Sequence, residues 1–198
     1  MKVDKIHRKL LDIILNKNPN KEIKILDVGC GDGGFLYWLK QNGFKHLYGC
    51  DLGESINVEG VNYKKANVDE TGIPFKEEFD LIVSKSVIEH VGNPFKYLRE
   101  IHRCTKSNGL VILLKPNATN LWNRIYFLFT GNSISFNKKN SHISFTTENI
   151  FEKGIKNKFK VTKKRTFGAV VPILRLKFPA PIILGDTLCY EMRKIGQE

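Results

Sequence analysis

Cysteine is scarce in this 198-residue chain: Cys30, Cys50, Cys104 and Cys189 lie at least twenty positions apart, with no CxxC pair. That spacing argues against a zinc ribbon and a disulfide scaffold. The first residues, MKVDKIHRKL, lack the apolar core of a secretory signal, so a cytoplasmic protein is expected. Internal repeats and long low-complexity linkers are missing too, and the length suits a single domain over 1–198. Acidic residues are the scarce charge, 20 against 32 Lys and Arg, for a net charge of +12. The surplus is uneven. Residues 1–115 carry 18 basic and 15 acidic side chains and residues 116–198 carry 14 and 5, giving +3 and +9. Either the C-terminal part meets something anionic, such as nucleic acid, a phosphorylated substrate or a lipid surface, or its lysines form solvated faces. The remaining composition, 41% hydrophobic and 26% charged, is that of a globular core rather than a disordered chain.

Apolar periodicity predicts an amphipathic helix over 3–16, carried by Val3, Ile6, Leu10, Leu11, Ile14 and Leu15. A break at Asn18-Pro19-Asn20 precedes a short strand ending at Val28, a glycine cluster, a helix closed by Asn42-Gly43, and a second strand over 46–51. Further strands are expected at 61–65, 79–84 and 110–114. A helix begins at Pro94 and ends near Ser107-Asn108-Gly109. Alternating β and α at this pitch implies a doubly wound, mostly parallel sheet. After Pro116 comes an Asn- and Ser-rich insertion with an apolar stretch over 121–129, then a helix from Thr147 and strands at 159–163 and 187–193. The apolar segment 168–185 is broken by Pro172, Pro179, Pro181, Arg175 and Lys177, and is too interrupted to span a bilayer.

Gly29, Gly31 and Gly34 spell GxGxxG, a pattern that alone is weak. Here Asp27 stands two residues ahead of it, and Asp51 closes the next strand twenty residues after Gly31. With ILDVGCGDGGF, GCDLGE, ANVD, FDLIVSKSVIEHV and LREIHRCTKSNGLVILLKPN in that order, residues 23–116 resemble the class I S-adenosylmethionine-dependent methyltransferases, specifically the small-substrate branch called type 11. The resemblance implies a Rossmann-like seven-stranded sheet with its last strand antiparallel, S-adenosylmethionine as cofactor and S-adenosylhomocysteine as product. It implies that the cofactor is held by Asp27, Gly29, Cys30, Gly31 and Gly33, by Asp51 and Leu52, by Asn67 and Val68, and by Ser84. Asp51 would accept from both ribose hydroxyls and Asn67 from the adenine amine, while the glycines let the backbone approach the methionine part.

Methyl transfer from a sulfonium needs mainly in-line positioning. For a hydroxyl acceptor a general base helps, and Glu89, His90 and His142 are the candidates. Some ubiquinone-type O-methyltransferases carry a metal-binding acid three positions before the Glu-His pair; this chain has Ser86 there. Glu89 and His90 alone offer too few hard ligands for Mg²⁺, so no metal is expected. KPNATNLWNRIYFLFTG followed by SHISFT resembles type-11 members of polysaccharide and lipid pathways, which implies O-methylation of a small-molecule, glycan, quinone or lipid-linked acceptor. In that organisation 23–116 is the cofactor core, and 117–146 and 168–185 are substrate-side insertions. The segments 121–129 and 171–184 mix apolar side chains with Arg124, Arg175 and Lys177, so they either contact the inner face of a membrane, or pack on the sheet or form a dimer face. RNA methylation ranks second, resting on the basic C-terminal portion, since no Asn/Asp-Pro-Pro-aromatic motif is present. A non-catalytic cofactor-binding subunit is the third reading.

Overall fold

The computed structural model describes residues 5–17, 19–76, 78–168 and 183–196. In chain order the elements are α1 (Lys5–Leu15), β1 (Lys24–Val28), α2 (Gly34–Gln41), β2 (His46–Asp51), β3 (Asn62–Lys65), β4 (Phe79–Lys85), α3 (Pro94–Cys104), β5 (Thr105–Pro116), α4 (Leu121–Thr130), α5 (Glu148–Ile155), β6 (Phe159–Phe167) and β7 (Thr187–Lys194). The strands form one sheet in the order β3-β2-β1-β4-β5-β7-β6, with β7 antiparallel to both neighbours and the pairs from β3 to β5 parallel. This is the expected doubly wound architecture.

Period-2 alternation sorts the strand residues between two cores. Leu26, Val28, Ile82, Val111 and Leu113 face α3 and α5, packing with Leu98, Ile101, Phe151 and Ile155. Ile25, Leu81, Val83 and Ile112 face α1 and α2, packing with Leu10, Ile14, Phe35 and Leu36. Because β1 leads to β2 on one side and borders β4 on the other, the chain changes direction across the sheet there. The carboxyl ends of β1, β2 and β4 therefore flank a crevice, the usual ligand position in such sheets.

Local chemistry sets the element ends. Pro94 opens α3 behind Asn93, whose side chain accepts from the Lys96 amide at 2.9 Å. The Asn120 side chain caps α4, and Gly131 ends it in the left-handed region at φ 66°. Thr147 caps α5. The four cysteines are buried and form no disulfide.

Several elements differ from the sequence reading, and α3 ends at Cys104 rather than near 107–109. β5 starts at Thr105 rather than Leu110; Asn108 takes φ 57°, and the pairing with β4 jumps from Phe79–Thr105 to Leu81–Leu110. The expected turn at 107–109 is thus an irregularity inside a strand. β6 runs on to Phe167, because β7 pairs with it as far as Thr187. The stretch 121–129 is a helix. Residues 169–182, which hold most of the segment expected at 168–185, lie outside the described residues. No helix among the described residues is long and apolar enough to cross a membrane.

Candidate functional site

The loop after β1 is shaped by its glycines. Gly29 sits at φ +74°, donates to the Cys50 carbonyl at 2.8 Å, and is so close to the loop after β4 that a Cβ would lie 2.3 Å from Val87 Cγ2. Gly31 sits at φ +57°, where a Cβ would meet nothing within 4 Å. Its amide donates to Asp51 Oδ2 at 2.8 Å, while Asp51 Oδ1 accepts from Leu52 N at 2.7 Å. The carboxylate at the end of β2 is therefore fixed by backbone donors, with one lone pair on each oxygen left over. Gly33, also left-handed, starts α2, and Asp32 accepts from Gly34 N.

Two cavities meet at Gly29. The first, about 220 Å³, is lined by Asp51, Leu52, Asn67, Val68, Asp69 and His90 among others. The second, about 150 Å³, is lined by Asp27, Cys30, Gly31, Lys85 and His7. Asp27 is buried, and burial lifts its carboxyl to about 7; Lys85 opposes the rise and Asp51 adds to it. Burial likewise pushes the Cys30 thiol up, which keeps it protonated and inert.

The expected cofactor residues thus gather around one crevice, with two qualifications. Ser84 lies beneath it: the side chain is fully buried and shares a 2.7 Å hydrogen bond with Tyr97, while Val83, Lys85, Ser86, Val87, His90 and Val91 of that motif line the cavities. Gly33 shapes the loop against Ile56 and Val58 and lines neither cavity. The Asn67 amide oxygen already accepts from Asp69 N at 3.2 Å. Two residues were missed. Asp69 lines the first cavity and fastens the loop after β4 by accepting from Gly92 N at 2.9 Å; its acid in the ANVD segment was the available signal. His7, a polar residue on the apolar side of α1, lines the second.

The insertion returns to this site. The Glu89 carbonyl accepts from both Ile143 N (2.9 Å) and Ser144 N (3.0 Å), which sets His142 beside His90 with ring centroids 4.8 Å apart. Nδ1 of His90 lies 3.1 Å from both the carbonyl and the hydroxyl of Ser141, and Nδ1 of His142 lies 2.6 Å from the Ser135 carbonyl. A carbonyl only accepts, so Nδ1 of His142 donates to that of Ser135, while Nδ1 of His90 can donate to the Ser141 carbonyl or accept from the Ser141 hydroxyl. Glu89 is 2% exposed, and burial raises its carboxyl above the usual range despite both imidazoles nearby. His90 lines the first cavity, while His142 lines a wide groove with Tyr126, Ile134, Phe136, Lys138 and Phe145. The three candidate catalytic residues, 53 positions apart at the extremes, are together.

Residues 3–153 match the family model described as "Methyltransferase domain". Over 114 residues the chain is 25% identical to the tRNA U34 carboxymethyltransferase of Helicobacter pylori (strain Shi470), covering 52% of this chain and 44% of that protein. It is 28% identical over 104 residues to the ubiquinone biosynthesis O-methyltransferase of Pseudomonas aeruginosa, covering 48% and 44%. The matches span less than half the length of these relatives. A crystal structure of a SAM-dependent methyltransferase from Archaeoglobus fulgidus superposes with TM-score 0.67 at 20% identity, over 96% of this chain and 92% of that one. A glycine loop, a strand-end acid and a 3-2-1-4-5-7-6 sheet thus accompany a family match over three quarters of the sequence, and the chain belongs to the class I methyltransferase-domain family.

Proposed function

We propose that the protein moves a methyl group from S-adenosylmethionine to a hydroxyl of a small-molecule, glycan or lipid-linked acceptor, leaving S-adenosylhomocysteine. The observation that carries this reading is the position of the His90–His142 pair between a cavity rimmed by Asp51 and a groove rimmed by aromatic and basic side chains. When bound, S-adenosylmethionine supplies a methyl already activated by a sulfonium.

The residues present fit such a ligand. Asp51 has acceptor capacity for two ribose hydroxyls, Leu52, Asn67 and Val68 flank a slot for the adenine, and Gly31 leaves open space where any larger side chain would intrude. Asp27 and Lys85 provide one carboxyl and one ammonium toward the amino acid end. On the acceptor side, an imidazole Nε2 lone pair takes the hydroxyl proton while the groove holds the oxygen in line. Glu89 stays beneath as the group that answers imidazolium charge.

In this organisation 23–116 is the cofactor core, and 117–146, with 168–185, chooses the acceptor. α4 favours a lipid-linked acceptor at the inner membrane face, because Phe127, Leu128 and Phe129 are 61%, 77% and 80% exposed beside Arg124. The test is transfer of labelled methyl to fractionated cell extract. Label in the lipid or glycan fraction supports the reading; label in RNA moves the assignment to the reading favoured by the basic C-terminal portion. No label in any fraction, from protein that binds S-adenosylhomocysteine, points to a non-catalytic subunit.

A further inference from the structure

Glu89, His90 and His142 each offer a donor atom, and these atoms lie within 4.8 Å of one another, the one such trio among the described residues. Glu89 Oε2 is buried and has no hydrogen-bond partner, an unusual state for a carboxylate oxygen at 2% residue exposure. The His142 imidazole donates Nδ1–H to the Ser135 carbonyl, and Nδ1 of His90 is tied at 3.1 Å to both the carbonyl and the hydroxyl of Ser141. Metal-binding histidines are oriented in the same way, with one nitrogen tied to a carbonyl so that the other presents its lone pair. The trio is also fixed from outside: the Glu89 carbonyl holds two amides of the insertion, and the Lys115 ammonium donates to the Thr146 carbonyl just beyond them.

We infer that Glu89, His90 and His142 form a binding site for a divalent transition-metal ion of the zinc class at the acceptor end of the cofactor crevice. Two imidazole nitrogens and one carboxylate oxygen suit zinc and its first-row neighbours, whereas Mg²⁺ takes oxygen ligands. Bonds of about 2.1 Å in a tetrahedral set place donors about 3.4 Å apart, so binding draws the trio in by at most about 1.4 Å. Three protein ligands leave a fourth position open, as catalytic zinc sites do.

The inference rests on the reading of this cluster as the acceptor side and refines how the hydroxyl loses its proton. Bound at the open position, the acceptor hydroxyl is acidified and releases its proton to water, leaving a metal-bound oxyanion. That oxygen then forms the O–CH₃ bond as the CH₃–S bond breaks and its electron pair returns to sulfur. With the ion bound the histidines hold it, and the metal takes over the part that an imidazole base plays in the metal-free site.

The experiment uses the full chain stripped with a chelator, with S-adenosylhomocysteine binding by calorimetry as the control for fold and cofactor site. Zn²⁺ and Mg²⁺ are titrated separately, and Co²⁺ is followed by visible absorption. The expected result is one Zn²⁺ per chain, no comparable Mg²⁺ binding, and ligand-field bands from Co²⁺. His90→Ala and His142→Ala should each weaken Zn²⁺ binding at least tenfold, as should Glu89→Gln; should buried Glu89 not tolerate the change, the two histidine variants carry the test alone. The inference is overturned if protein that binds S-adenosylhomocysteine takes up no Zn²⁺, if Mg²⁺ binds as well as Zn²⁺, or if the His90→Ala/His142→Ala double variant keeps wild-type Zn²⁺ affinity. Loss of S-adenosylhomocysteine binding in wild type, with Zn²⁺ binding intact, would instead remove the methyltransferase reading and leave the metal site standing.

Discussion

Asp51 is held in place by the Gly31 and Leu52 amides before any ligand arrives, so little ordering is needed when a ribose docks. Asp51→Ala should weaken S-adenosylhomocysteine binding by about 2–4 kcal/mol, the worth of two charge-assisted hydrogen bonds, as read by calorimetry; unchanged affinity in a folded variant would mean the ribose binds elsewhere. Asp27 predicts a pH dependence. Its carboxyl titrates near 7 because it is buried, above the free value of 3.8, so its contribution to folding is fully present below 3.8 and lost as pH rises through about 7. Binding of a cationic amino group runs the other way, because only the ionised carboxylate attracts it. Between about pH 5.5 and 7, where a free α-amino group stays mostly protonated, affinity should rise with pH by up to about tenfold per unit. Asp27→Asn should flatten that profile, and a flat wild-type profile would separate Asp27 from the ligand. Both acids were legible in the sequence because they flank the glycine loop. Asp69 and His7 were not placed in it, since their parts depend on Gly92 and on cavity walls far along the chain.

At the scale of elements, the two left-handed glycines after β1 respond differently to substitution. Gly31→Val adds a side chain where nothing lies within 4 Å, so the cost to folding is the left-handed backbone, about 1–2 kcal/mol, while the ligand space is filled. Gly29→Ala drives a methyl into Val87 and should destabilise further by pushing the loop after β4. The expected pattern in thermal melts and calorimetry is a fall of a few degrees with no cofactor binding for Gly31→Val, and a larger fall for Gly29→Ala. Normal binding by Gly31→Val would dissociate this loop from the cofactor. The strands and the first three helices were legible because buried faces impose periods of 2 and 3.6. α4 was not legible as a helix because it is built in reverse. Its buried residue is Asn123, whose amide oxygen accepts from Ser133 Oγ and Ile134 N and whose amide nitrogen donates to the Asn117 carbonyl, while its aromatics face outward. Periodicity finds a helix by its hidden apolar stripe, and α4 hides a polar one.

For the whole molecule, the open question in the sequence was what the basic C-terminal portion and the apolar insertions meet. If α4 enters the acyl boundary, wild type should co-sediment with anionic liposomes at low salt and less so at high salt. Leu128→Glu/Phe129→Glu should abolish pelleting with little effect on melting, since both side chains are already exposed. Equal pelleting by the variant would assign any lipid binding to charge alone. The site as a unit was half legible: each of Glu89, His90 and His142 is visible as a titratable residue, but their meeting depends on two backbone hydrogen bonds to the Glu89 carbonyl that no spacing reveals.

The outermost strands of the sheet carry a second meaning for the surplus of lysine. β3 ends in Lys64 and Lys65, and β6 bears Lys160, Lys163, Lys164 and Arg165; Lys65, Lys164 and Arg165 are ion-paired with Glu54, Glu148 and Glu191. An unpaired strand edge is a template for joining a neighbouring chain, and a row of cations on it repels that neighbour before any ladder can form. Four of the fourteen basic residues after residue 115 stand on that one strand. Part of the C-terminal charge thus stands where strand edges discourage edge-to-edge pairing, at the margin of the sheet formed by the described residues.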